Sequence, residues 1–258
     1  MPVQPNPFKR ALQNGQLQFG CWLGLGDTFS AELMGTAGFD WMVIDGEHGP
    51  NDLRSILAQL QVLEASDSHA VVRLPVGETY MLKQFLDAGA QTVLVPMVES
   101  AEQARQLVRD VTYPPHGDRG VGYALTRASR FSQIKDYGKT ADEQICLLVQ
   151  VENKKGIAAL DEILAVDGVD GVFIGPADLA ADMGQMGNSL HPDVQAVIMD
   201  ALRRIRAAGK APGILSTHDP MTNEAIEAGA LFVAVGADVL ILSHGAQALT
   251  AKWKAQKG

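Results

Sequence analysis

Eight short apolar runs recur along this chain, and each is followed by a stretch with helical spacing. They are Phe19–Leu25, Trp41–Ile44, His69–Pro75, Thr92–Val98, Ile145–Val151, Gly171–Gly175, Ala211–Ser216 and Leu231–Val235. The runs are near-continuous rather than alternating, which is the pattern of parallel strands covered on both faces by helices. The intervening stretches supply those helices. In Asn51–Ala65, residues Ile56, Leu57, Leu60 and Leu63 form one apolar stripe. The spacing predicts further helices over Glu78–Ala88, Ala101–Val111, Gly156–Val166, Val194–Ala208 and Thr222–Ala228. Gly38, Gly89, Gly168, Gly209 and Gly229 each follow a helical run, where a left-handed terminating residue belongs.

Eight strands alternating with helices over 258 residues predict an α/β fold of the (β/α)8 type, a TIM barrel, with 1–258 as a single domain. The rival is a doubly wound open sheet with a glycine-rich first turn. Gly24 and Gly26 begin such a turn, but Phe29 stands where the third glycine is needed, so the dinucleotide motif is incomplete. One segment breaks the alternation. Tyr113–Asp142 is a long insertion before the fifth run, carrying Arg119, Arg127 and Arg130. Loops of that length in compact domains are either solvated excursions or sites of function and subunit contact.

Charge narrows the partners. A formal net charge of −9 argues against nucleic acid and anionic membranes, which both need a basic footprint. Cys21 and Cys146 lie inside apolar runs and read as small buried hydrophobes rather than a disulfide or zinc pair. The first residues contain no apolar signal-peptide core, and no run reaches the roughly 18 apolar residues of a membrane span. The expectation is a soluble cytoplasmic protein.

In a barrel of this type the chemistry gathers at the C-terminal ends of the strands. The second run ends in Asp45, Glu47 and His48; the third carries Arg73; the fifth leads to Gln150 and Glu152. The sixth reaches Asp178, and the seventh ends in Ser216, Thr217 and His218. Each has an ordinary structural use: Asp178 in the first turn of a helix, Arg73 as a carboxylate's partner, His48 in a turn. Unlike charges at several buried strand ends are nonetheless costly unless they bind something. Glu152 and Asp178, from adjacent strands, offer oxygen ligands to a hard cation such as Mg²⁺ or Mn²⁺. Zinc would ask for more nitrogen or sulfur. Asp45 and His48 fit a carboxylate that orients an imidazole base, and Arg73 fits a group that stabilises a developing oxyanion. Glu47 either pairs with Arg73 or faces solvent.

The segments VIDGEHGPND, VVRLP, LVPMVES, YPPHGDRGVG, VQVEN and FIGPADLA, in this order over nearly the whole chain, resemble the metal-dependent (class II) pyruvate aldolases of the 4-hydroxy-2-oxoheptanedioate aldolase family, related to citrate lyase β-subunits. The resemblance implies a homohexamer of barrels exchanging an additional C-terminal helix, here around Asp238–Lys254. It implies that Glu152 and Asp178 hold Mg²⁺, Mn²⁺ or Co²⁺, and that pyruvate or hydroxypyruvate adds reversibly to an aldehyde to give a 4-hydroxy-2-oxo acid. His48 with Asp45 would then be the acid/base and Arg73 the enolate stabiliser. Gln150 would support the substrate or metal shell, and the backbone at Pro176, Ala177 and Asp178 would receive the substrate carboxylate. Trp22, Leu215 and the loop Arg119–Tyr123 resemble pocket walls, the loop reaching a neighbouring subunit.

Other chemistries stay open at this level. A Schiff-base aldolase needs a lysine on a barrel strand; no run contains one, and Lys154 just beyond the fifth is the nearest. An acyl-CoA lyase of the same superfamily needs a nucleotide-sized groove for which no basic cluster is evident. A non-catalytic barrel that binds an acidic metabolite is the reading from a different class.

Overall fold

The computed structural model describes residues 3–256. Its strands are β1 (Gln18–Leu23), β2 (Trp41–Asp45), β3 (His69–Arg73), β4 (Thr92–Val95), β5 (Cys146–Val151), β6 (Gly171–Ile174), β7 (Ala211–Leu215) and β8 (Phe232–Ala237). They pair in parallel in sequence order, and β8 closes onto β1 to complete a barrel. Among the described residues no helix is long and apolar enough to cross a membrane.

Successive strand residues face opposite sides, and this sorts the core into two layers. Met42, Ile44, Val72, Leu147, Val149, Val172 and Ile174 pack outward against the helices. Trp41, Val43, Val71, Leu148, Phe173 and Phe232 fill the barrel itself. Gly20 makes the interior possible: a Cβ there would lie 2.2 Å from the Trp41 ring. The lower end is stoppered by the helix Pro7–Gln13, whose Phe8 and Leu12 join the interior cluster. Asn6 caps that helix and also donates to Thr92 Oγ1 at 2.9 Å, fastening the stopper to β4.

The helices match the spacing closely, with Ala101–Val111 reproduced to the residue. All five glycines placed at helix ends have positive φ, from 76° to 108°. One expected helix differs. Gly156–Val166 is divided into Lys154–Ala158 and Leu160–Leu164 at Ala159, whose φ of −88° and ψ of 2° leave the α-helical region. Gly156 lies so close to Val98 O, 2.9 Å from where its Cβ would be, that the first turn is pinned to the β4 side.

The insertion is ordered, although much of it is exposed. It has a small core of Tyr113, Tyr137 and Ala141 with Tyr123 against it, and ends in the helix Tyr137–Gln144. Arg119 is sealed within, 4.4 Å over the Tyr113 ring and 3.2 Å from Asp87 Oδ1. Asp87 lies near the C-terminal end of the helix Thr79–Ala88, which is the end away from the barrel mouth. Within this chain, therefore, Arg119 packs against the barrel's flank and is not a wall of the mouth.

Candidate active site

Inward and outward registers decide which polar groups meet. Asp45 shares its face with Trp41 and Val43, and Arg73 shares its face with Val71, so both point into the barrel at its C-terminal mouth. Asp45 and Arg73 are also register partners across β2 and β3. Their side chains form a two-point pair, Nε to Oδ1 at 2.8 Å and Nη2 to Oδ2 at 2.6 Å. Arg73 Nη1 lies 2.7 Å from Glu47 Oε2, and its guanidinium stacks 5.1 Å from the Trp22 ring. A guanidinium carries five N–H bonds, and the two hydrogen-bonded to Asp45 leave three, beside Glu47, for an incoming oxygen.

Burial alone would raise the Asp45 carboxyl, but the hydrogen bonds and charge of Arg73, with the amides of Glu47 and His48, hold it below the usual carboxylate range. This pairing changes the role expected of Asp45. Its contact with His48 runs through the backbone N–H, at 3.3 Å, and not through the imidazole. The carboxylate beside the ring is that of Glu47, with Oε1 4.0 Å from Nε2, while the His48 side chain is 69% exposed. Asp45 thus sets the His48 backbone, and the orienter–base pairing read from sequence is not the contact made.

On the other wall, Gln150 and Glu152 continue the inward face of β5 beyond Leu148, and both are buried. Glu152 Oε1 accepts the Met97 amide at 2.9 Å, and Oε2 accepts the Gln150 side-chain amide. Burial pushes the Glu152 carboxyl up, and the charges of Asp178 and Glu47 push it further, against the two hydrogen bonds. Gln150 Oε1 is buried without a partner. Gly175 keeps the space open, because a Cβ there would lie 2.5 Å from Glu152 Oε2.

Asp178 stands exposed in the first turn of the helix Pro176–Asp182. No side chain caps that helix, and Pro176 has no N–H, so the amides of Ala177 and Asp178 head it. Leu215, at the end of β7, packs against the interior cluster that includes Trp22. Ser216 and His218 serve their own turn: the Ser216 hydroxyl bonds the His218 backbone, and His218 Nδ1 caps the following helix at Met221. Lys154 is turned outward, its side chain 67% exposed and its Nζ 4.0 Å from Asp182. A lysine so placed is no Schiff-base former.

The mouth therefore holds Asp45, Glu47, Glu152 and Asp178 against Arg73, with His48 at the rim. Such an excess of carboxylate, with Asp45 and Glu152 both buried, fits a hard divalent cation. Among the described residues no three His, Cys, Asp or Glu converge on one point, so protein would supply only part of such an ion's shell. A separate cavity of about 660 Å³ opens at the other end of the barrel, lined by Leu60, Glu64, His69, Gln91, Arg127 and Ile134 among others. It contains none of these mouth residues.

Residues 18–245 match the family model described as HpcH/HpaI aldolase/citrate lyase. The chain belongs to this family. It is 60% identical to a hydroxypyruvate/pyruvate aldolase of Roseovarius nubinhibens over 98% of this chain and 99% of that one. It is 53% identical to a 4-hydroxy-2-oxo-heptane-1,7-dioate aldolase of Salmonella dublin, over 98% of this chain and 96% of that one. A crystal structure of a family member from Burkholderia cenocepacia superposes with a TM-score of 0.93 at 37% identity, covering 96% of this chain and 99% of that one. The barrel, the family and an aldolase type of lyase chemistry are thereby as the sequence motifs implied. Two features of the mouth escaped the sequence, the Met97 amide on Glu152 and the space at Gly175, and a third, Glu47 on Arg73, is one of the two readings the sequence left open. None is a local pattern; each depends on which strand ends are neighbours.

Proposed function

We propose that this protein is a divalent-metal-dependent 2-oxo acid aldolase that adds pyruvate or hydroxypyruvate reversibly to an aldehyde. The observation that carries it is the buried Glu152 carboxylate, fixed by two hydrogen bonds beside Asp178 while Arg73 is engaged by Asp45 and Glu47. Glu152 and Asp178 would hold Mg²⁺, Mn²⁺ or Co²⁺, which when bound polarises the keto group and makes the neighbouring C–H more acidic.

The chain's own groups do the rest. Arg73 directs its free N–H bonds at the oxygen that gains charge as the proton leaves, in a setting already dry and preorganised. Trp22 and Asp45 keep that guanidinium in place. The amides of Ala177 and Asp178 receive the substrate carboxylate at a helix start, and the unpartnered Gln150 Oε1 is left as an acceptor for a hydroxyl or water. His48 carries the proton to or from the hydroxyl formed in the addition, with Glu47 as the carboxylate beside it. In the reverse direction the same proton leaves that hydroxyl as the carbon–carbon bond breaks.

The helix Asp238–Lys254 leaves Leu240, Ile241, Leu242, Leu249 and Trp253 exposed, which supports its exchange between copies and a homohexamer. In that assembly the loop Arg119–Tyr123 would meet a neighbour's mouth. We take residues 1–258 as one catalytic domain acting in the cytoplasm.

The test is exchange of the pyruvate methyl protons in D₂O, followed by NMR on chelator-stripped protein with and without Mg²⁺ or Mn²⁺. Exchange only with metal is expected. Exchange without metal would overturn the metal assignment. Absence of exchange for both pyruvate and hydroxypyruvate would favour a binding protein.

A further inference from the structure

Met97, just past β4, has a left-handed backbone with φ 56°. That region is expensive for a residue with a side chain and free to glycine. Three bonds over-determine it. The Met97 amide donates to Glu152 Oε1 at 2.9 Å, its carbonyl accepts from Gln103 Nε2 at 3.3 Å, and the next amide, Val98, donates to Gln150 O at 2.9 Å. The backbone role is clear: this bend aims an N–H at the buried carboxylate. Glycine would perform that role with less strain, so the bend does not account for the side chain. Nor does the core, because Met97 is 46% exposed and stands at the mouth outside both apolar layers.

Resting on the aldolase reading, we infer that Met97 is a specificity-determining residue whose side chain forms part of the wall met by the incoming aldehyde. Its backbone nitrogen is one hydrogen bond from Glu152, and its half-exposed side chain stands at the mouth rather than in either apolar layer. A flexible, polarisable side chain is suited to apolar groups of varied shape. The wall acts on the aldehyde and not on the 2-oxo acid, which can lose its proton before any aldehyde arrives.

The experiment compares wild-type protein with Met97→Gly and Met97→Leu, each as the full chain with Mn²⁺. Three readouts are taken: pyruvate deuterium exchange, kcat/KM for pyruvate addition to propanal and to glycolaldehyde, and Mn²⁺ affinity by EPR titration. Gly keeps the N–H on Glu152, so Mn²⁺ binding is expected to hold and the melting temperature to rise as strain is relieved. The propanal kcat/KM is expected to fall about ten-fold further than the exchange rate, the usual discrimination of a small apolar contact, and further than the glycolaldehyde value. Met97→Leu should restore most of the propanal rate. If exchange and both aldehyde rates fall in the same proportion, Met97 acts only through its amide and the inference is overturned. Equal rates in all three proteins would also overturn it. Wild-type protein that fails to exchange with metal present would remove the underlying aldolase reading instead, and would be seen without any variant.

Discussion

Gly175→Ala moves one carboxylate without altering it. The Gly175 backbone, at φ −89° and ψ 102°, lies in a region open to any residue, so conformation does not call for glycine there. Space does. A Cβ would stand 2.5 Å from Glu152 Oε2, 2.8 Å from Glu152 Cβ and 3.2 Å from Gln150 Nε2. Ordinary contact begins near 3.4 Å, so the carboxylate must retreat by about 0.9 Å, disturbing the bond it accepts from the Gln150 amide. A misplacement of about 1 Å at a reacting centre lowers rates by about 10²-fold, and disturbed support of a metal ligand lowers metal affinity by about 10–100-fold. The fold should survive: overpacking costs about 1–3 kcal/mol, partly offset by the reduced freedom of the unfolded chain. The expected result is a folded variant, by circular dichroism melts, with weakened Mn²⁺ binding by EPR and pyruvate exchange reduced about 10²-fold. A folded variant that binds Mn²⁺ and exchanges pyruvate like wild type would refute the assignment of Glu152 as the placed ligand.

Arg73→Ala should impair both activity and folding, because it strands the buried Asp45 carboxylate; about 3–5 kcal/mol of stability is expected to go at neutral pH. Since Arg73 holds the Asp45 carboxyl low in the fold, that contribution is present above the unfolded value and lost as pH falls through the folded one, so urea melts of wild type and variant should converge at acid pH. His48→Ala should lower the aldol rate by about 10²–10⁴-fold in steady-state assays, and a far smaller loss would assign the proton to solvent. His69, desolvated beside Phe8 and bonded to Thr92 Oγ1 at 2.7 Å, is pushed down to about 4. The unfolded chain protonates it from pH 6.5 downward while the fold does not, so stability should fall by at most about 3 kcal/mol between pH 6.5 and 4. His69→Gln should flatten that slope in paired urea melts at the two ends of the range.

The architecture was legible because a (β/α)8 barrel repeats its signal. The strands are apolar on both faces, the helices between them carry an apolar stripe, and eight repetitions leave little room for error in any one of them. The stopper helix Pro7–Gln13 was missed although its marks are present: Asn6 as cap, Pro7 in the first turn, and Phe8, Ala11 and Leu12 along one face. It escaped because it stands outside the repeat. The insertion looked ambiguous for a similar reason. Its order comes from tyrosines far apart in sequence gathering around Arg119, and no local periodicity announces that.

The mouth divides along the same line, between what one strand says of itself and what two strands say to each other. That Asp45, Arg73, Gln150 and Glu152 face inward follows from parity along single strands whose other residues are apolar. Pairing does not follow from it. Asp45 and His48 lie three apart and suggest a couple, yet the register of β2 against β3 sets Arg73 beside Asp45, and a two-point guanidinium bond leaves no place for an imidazole. The same register frees Glu47 to reach both Arg73 and the rim, which is why the residue that sequence could not place is the carboxylate next to His48. Backbone donors are less visible still. The Met97 amide on Glu152 depends on a left-handed bend that its residue type disfavours, so a reading by propensity points away from it. The groups that do chemistry here can thus be read from sequence, whereas the groups that aim them are set by register and strain, and it is at those aiming groups that substitution will best separate function from fold.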